Sequence, residues 1–286
     1  MNIRRFSNAK HTDGFTLLEL LVAMSLGLFL MAGLIQVLLS NREIFRVQEN
    51  SARMQEDGRF AVTVLKNAIS LTGYREDASL TMASQFPSYT TLASPPAQTF
   101  LTAEVVRGAD NNVGGGDNVK DGTDTIALRY RSDGAIRDCL GITVASGLVS
   151  VNRFYVDDDD SLSCRSDVYN PATNVLVSTL TQPLIDNVED MQIRYGMSAG
   201  NVYHDVAAEC YIDASVAIGG GSDCSSLNFA QVVSARVTLL LHSGDDNLTP
   251  NGAPQTYYYE GANVVAVDNR LYRTVTSTIA MRNKVL

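Results

Sequence analysis

Glu19 is the only charged residue in the apolar run from Phe15 to Asn41. On insertion scales a carboxylate at the centre of a bilayer costs about 2.5–3.5 kcal/mol, so such a residue asks for a cation at the same depth. The junction just upstream can supply one. Cleavage between Gly14 and Phe15 creates an α-amino group on Phe15, four residues before Glu19. A basic leader with Arg4, Arg5 and Lys10 precedes that junction. The chemistry these residues suit is processing followed by charge pairing.

Other residues could carry different chemistry. Gly196-Met197-Ser198-Ala199-Gly200 matches G-x-S-x-G, but a nucleophile elbow needs a strand before it and a helix after it. Asn201–Glu209 is too short and polar for that helix, and His204 lies too close to Ser198; His242 fits by chain order alone. The expectation is a strand-ending turn, with no catalytic residue. Asp157-Asp158-Asp159-Asp160 with Asp167 could collect calcium, yet the run lacks the EF-hand alternation, and four adjacent side chains cannot all face one ion. It reads as a solvated loop, so no metal site and no cofactor are expected. The loop Asp110–Asp124, with Gly114-Gly115-Gly116, lacks the Gly-Lys-Ser/Thr ending of a phosphate loop. Tyr257-Tyr258-Tyr259 reads as a strand with rings on alternate faces.

Four cysteines, Cys139, Cys164, Cys210 and Cys224, are spaced by 25, 46 and 14 residues with no C-x-x-C pair. Only three histidines accompany them, which disfavours a structural zinc site. An even count in an exported domain favours disulfides. Of the three pairings, Cys139–Cys164 and Cys210–Cys224 are favoured, because each closes a polar loop between strand-like runs.

The elements that must position these residues begin with a helix. No proline interrupts the chain from Phe15 to Leu71. Val47, Met54, Ala61, Leu65 and Ala68 form one stripe, and Thr72-Gly73 can close the helix. The first half is apolar all round and about the length a bilayer requires. The second half has one apolar face and wants a folded domain against it. A secretory signal peptide would be shorter, with a small-residue cleavage site after its apolar core. The basic leader should stay cytoplasmic, leaving the rest of the chain outside.

Beyond a Ser/Thr/Pro-rich stretch from Glu76 to about Pro96 come strand-like runs: Thr125–Tyr130, Ile142–Val156, Val175–Leu180, Asp190–Tyr195, Val232–His242, Thr256–Tyr259 and Leu271–Met281. Ala127–Tyr130 and Gln192–Tyr195 alternate apolar with polar, which predicts a sheet with one wet face. The formal charge is −9 over 286 residues. Loss of residues 1–14 removes three basic groups and one acidic group, taking it to about −11. Such a chain has no general attraction for nucleic acid phosphates.

The Gly14-Phe15 junction with Glu19 resembles the type IV prepilin signature. The resemblance extends through Arg46-Val47-Gln48-Glu49, Met54–Ala61, Gly73-Tyr74, Val188–Gly196 and Thr278–Asn283, which are similar to minor pilins of the PilW family. The large pseudopilins of type II secretion, of the GspJ kind, are similar too. The apolar helix departs from major pilins in having no proline.

The resemblance implies an α+β, type IV pilin-like fold, a long N-terminal helix packed against an antiparallel sheet domain. It divides the chain into a leader (1–14), a helix (15–73, with a transmembrane half 15–41 and an amphipathic half 42–73) and a globular β-rich domain (74–286). It implies cleavage by a prepilin peptidase between Gly14 and Phe15, N-methylation of Phe15, and pairing of Glu19 with a neighbouring subunit's amine. The function implied is a non-enzymatic minor pilin that primes the pilus and sits at or near its tip. Its partners would be other minor pilins, the major pilin, the inner-membrane assembly platform and a tip adhesin. A GspJ-like pseudopilin and a membrane-anchored periplasmic hydrolase are the alternatives.

Overall fold

The structure, a computed structural model, describes residues 14–92, 97–112, 118–198, 207–214, 228–249 and 252–284. The elements in chain order are α1 (Leu17–Leu71), α2 (Met82–Gln85), β1 (Tyr89–Thr90), β2 (Thr99–Phe100), β3 (Val106–Ala109), β4 (Thr125–Arg131), β5 (Val149–Val156), β6 (Leu162–Asn170), β7 (Val175–Ile185), β8 (Val188–Met197), β9 (Cys210–Asp213), β10 (Val232–His242), β11 (Thr256–Tyr259), β12 (Ala262–Val265) and β13 (Tyr272–Ala280). The chain forms two compact units, Met1–Glu49 and Asn50–Leu286.

In the second unit, a five-stranded sheet runs β3-β4-β5-β6-β7 and a four-stranded sheet runs β13-β10-β8-β9. The pairs within them are antiparallel. The main core joins Ala61, Leu65, Ala68 and Ile69 of α1 to Leu128, Phe154, Met191, Ile193 and Leu239 from both sheets. Met54, Ala61, Leu65 and Ala68 of the expected stripe are buried in α1, together with Asn50, Gly58 and Ile69; Val47 is not among them. At Gly58 the helix comes so near β13 that an added Cβ would lie 2.9 Å from Val275 Cγ2.

The helix ends where the sequence signals it. Gly73 takes φ +79°, a left-handed conformation that costs glycine little. Its N–H donates to Arg129 O at 3.0 Å, which ties the end of α1 to β4.

The expected wet face exists on β8, where Gln192 and Arg194 are half-exposed between buried Met191, Ile193 and Tyr195. It does not exist on β4. Residues Thr125–Tyr130 are all buried, because the Ser/Thr/Pro-rich segment after α1 folds over that face. A second core of Phe86, Tyr89, Phe100, Val105, Ala127, Val149, Val151 and Tyr169 lies there. Arg129, fully buried, holds the cover down. It donates to Glu104 O, to Pro87 O at 2.7 Å, to Leu101 O at 2.9 Å and to Tyr169 Oη at 3.0 Å. Its guanidinium lies 4.7 Å from the Phe100 ring centre, a cation–π contact.

Two strand expectations need correction. The run Ile142–Val156 splits: only Val149–Val156 is a strand. Asp138 pulls the preceding segment into a turn by accepting the Leu140 N–H at 3.0 Å and the Ile142 N–H at 2.8 Å. β6 is a strand although its sequence, LSCRSDVYN, has the composition of a polar loop. Its buried aspartate is paired with side chains on β6 and on the neighbouring strands. Asp167, 0% exposed, accepts Arg153 at 2.7 Å and Arg165 at 3.0 Å. Thr179 donates to it at 2.6 Å.

Candidate functional site

Gly14, Phe15 and Thr16 lie before the first turn of α1, and Leu17 opens the helix. Thr16 occupies the N-cap position and Glu19 the third helical position. The Thr16 N–H and hydroxyl each donate to Glu19 Oε2 at 3.1 Å. The Glu19 N–H donates back to Thr16 Oγ1 at 3.3 Å. This is a capping box, which satisfies two helix-end donors reciprocally. Its T-x-x-E signature stands in the sequence at 16–19. The negative charge also complements the positive helix end. Both bonds reach Oε2, so Oε1 keeps its acceptor capacity.

The helix around this motif is long and apolar enough to cross a membrane. Phe15, Leu17, Leu18, Phe29 and Leu30 all have exposed side chains, a surface that suits lipid or other helices. Gly27 and Gly33 have nothing within 4 Å of a would-be Cβ, so each leaves a notch on that surface.

Among the described residues, the other candidates do not come together as a second site of the kinds the sequence raised. Ser198 lies beside the start of β10, its N–H donating to Gln231 O at 3.1 Å. His242 lies at the far end of the same strand, its N–H donating to Asn187 O at 3.0 Å. The ten residue steps between Val232 and His242 span on the order of 30 Å, so these two cannot share a proton. Ala199, Gly200 and His204 lie outside the described residues, as do Gly114, Gly115 and Gly116.

The aspartate run is not simply solvated. Asp157, buried, accepts the Ser161 N–H at 2.9 Å and the Ser163 hydroxyl at 2.7 Å, so it shapes the β5–β6 turn. Asp167 faces two arginines along β6 and away from that turn. Among the described residues, Asp160 is the member of the run that meets other candidate ligands, Glu189 and His242. No local spacing signals that trio, because its members come from a turn and two different strands.

Tyr257, Tyr258 and Tyr259 alternate. Tyr257 stacks on Tyr272 with ring centres 4.9 Å apart, Tyr258 is exposed, and Tyr259 donates to Asp190 at 2.9 Å.

Cys139 and Cys164 are joined by a disulfide across a sequence separation of 25. It pins the Asp138 turn to buried β6. Cys210 also takes part in a disulfide; Cys224, its expected partner, lies outside the described residues.

Comparisons with known proteins meet this geometry at both ends of the chain. Residues 153–283 match the family described as Type IV Pilus-assembly protein W, and residues 10–35 match the prokaryotic N-terminal methylation motif. No curated protein matches the sequence. Among solved structures, a type IV-like pilin from Thermus thermophilus is similar at 13% identity and a TM-score of 0.43, over 82% of this chain and 99% of that one. Residues 10–35 contain the capped helix start with Gly14, Phe15 and Glu19, and residues 153–283 contain most of both large sheets. On those two matches the chain is similar to type IV pilins, residues 153–283 to the Type IV Pilus-assembly protein W family, a pilin family with a structural role, and residues 10–35 to the N-terminal methylation motif.

Proposed function

We propose that this pilin is a minor subunit that primes type IV pilus assembly and stays at or near the fibre tip. The observation that carries the reading is Glu19, a lone carboxylate in a membrane-length apolar helix, four residues after the Gly14-Phe15 junction. Prepilin peptidase cuts between Gly14 and Phe15 and the new Phe15 amine is methylated. The apolar half of the helix then holds the subunit in the inner membrane, with the domain from residue 74 onward in the periplasm.

During assembly Glu19 accepts the Phe15 amine of an adjacent subunit. A charge pair removed from water is far stronger than the same pair in water, so the interaction aligns helices as they leave the bilayer. The partners are other minor pilins, the major pilin and the assembly platform, and a tip adhesin can be carried by the complex. Adhesion and twitching follow from the fibre and are not activities of this chain alone.

Deleting the gene and scoring surface pili beside exoprotein secretion tests this reading. Loss of pili with secretion intact supports it. Loss of secretion with normal piliation assigns the chain to a type II secretion pseudopilus instead.

A further inference from the structure

One oxygen each from Asp160 and Glu189 and one ring nitrogen of His242 lie within 4.8 Å of one another. The three residues come from the β5–β6 turn of the five-stranded sheet and from β8 and β10 of the four-stranded sheet. Their backbones are fixed through one short pivot. The Val188 N–H donates to Asp160 O at 2.7 Å, and the His242 N–H donates to Asn187 O at 3.0 Å.

His242 is 3% exposed. Its Nδ1 lies 2.9 Å from Ser243 O. A carbonyl only accepts, so Nδ1 carries the proton in that bond, and the longer 3.4 Å approach of Arg270 to the same nitrogen is secondary. Neutral imidazole then presents the Nε2 lone pair to the carboxylates. Nε2 has no hydrogen-bond partner among the described residues. It stands 3.6 Å from Asp160 Oδ2, beyond the ~2.7–3.2 Å of an N–H···O bond. Two ligands of one tetrahedral zinc, each about 2.0–2.1 Å from the metal, sit roughly 3.4 Å apart, close to that separation.

We infer that Asp160, Glu189 and His242 form a site for a divalent transition metal of the zinc class, where the two sheets meet. A backbone carbonyl holding the far ring nitrogen is the usual support of a metal-binding histidine. One imidazole with two carboxylates leaves a fourth position for water, which suits zinc better than calcium, with its six to eight oxygens. Lys120 sits at the rim, 2.6 Å from Asp160 Oδ1 and 3.0 Å from Glu189 Oε1. It offsets part of the carboxylate charge and leaves Asp160 Oδ2 facing the histidine.

The test uses the full chain in detergent micelles, untagged, with zinc as the only probe. Binding is measured by equilibrium dialysis against a competing chelator, with metal counted by mass spectrometry. Wild type should bind one equivalent, and His204→Gln should bind it equally. His242→Gln and Glu189→Gln should weaken binding by at least the ~10–100-fold that loss of an outer-shell partner costs, with the circular dichroism spectrum retained. X-ray absorption on the wild-type zinc complex should show one imidazole among oxygen ligands, which keeps the proposal testable if a variant fails to fold. No zinc bound by wild type, equal binding by folded His242→Gln, or a site with two imidazoles or sulfur would overturn it.

Discussion

Thr16 and Glu19 cap the start of α1 reciprocally, with three hydrogen bonds of 3.1, 3.1 and 3.3 Å between them. Glu19 therefore has a task inside its own chain before any neighbour arrives. The cap and the proposed pairing with a Phe15 amine can be separated by substitution. Thr16→Ala removes the N-cap oxygen and keeps the charge; it should cost about 1 kcal/mol of helix stability and leave fibre incorporation near normal. Glu19→Gln keeps a side chain able to accept from Thr16 but removes the charge, and should abolish incorporation. Quantifying each variant in sheared pili decides; equal defects would reduce Glu19 to a helix cap.

Gly108 and Tyr195 meet across the core. A Cβ on Gly108 would lie 1.8 Å from Tyr195 Oη and 2.6 Å from Cζ. Gly108→Ala should therefore destabilise the domain by about 1–3 kcal/mol through overpacking. The Tyr195 hydroxyl is buried without a hydrogen-bond partner among the described residues, so Tyr195→Phe should be neutral or stabilising, because it removes an unsatisfied group. Denaturant unfolding of both variants and their combination checks this, and the double variant should recover part of the Gly108→Ala loss.

The Cys139–Cys164 bond closes 25 residues, for which chain entropy gives about 3–4 kcal/mol of stabilisation. Replacing both cysteines with alanine should lower the unfolding free energy by roughly that amount. The turn at Asp138 should loosen first, visible as faster hydrogen exchange at Leu140 and Ile142.

Lys284 is buried beside Phe229, to whose carbonyl its ammonium donates. Desolvation pushes its pKa down to about 7, against a weaker opposing pull from Glu104. Between that value and the ordinary lysine range, the unfolded chain holds a proton that the folded chain does not. Stability from this group should therefore rise as pH increases from about 7 toward 10, and flatten below it. Lys284→Met should remove that slope, as unfolding midpoints of the two proteins across this window would show.

Where local pattern decides structure, the sequence was readable. The uninterrupted helix, its close at Gly73 and the bounds of β10 follow from periodicity and turn chemistry. β6 hid because its serines, arginine and aspartate look solvated until Arg153 and Thr179 arrive from neighbouring strands. The dry face of β4 hid because its cover is a segment with only short elements of its own, held by Arg129. The Asp160–Glu189–His242 trio hid most completely, since 82 residues separate its ends and only the stacking of two sheets joins them.

On the proposed function, this chain enters a fibre as a processed pilin whose new N-terminus pairs with Glu19. Mass spectrometry of its N-terminal peptide from purified, sheared pili tests that most directly. The expected peptide begins at N-methylated Phe15. A peptide that retains Gly14 in assembled fibres, or absence of the chain from fibres that assemble normally without it, would contradict it.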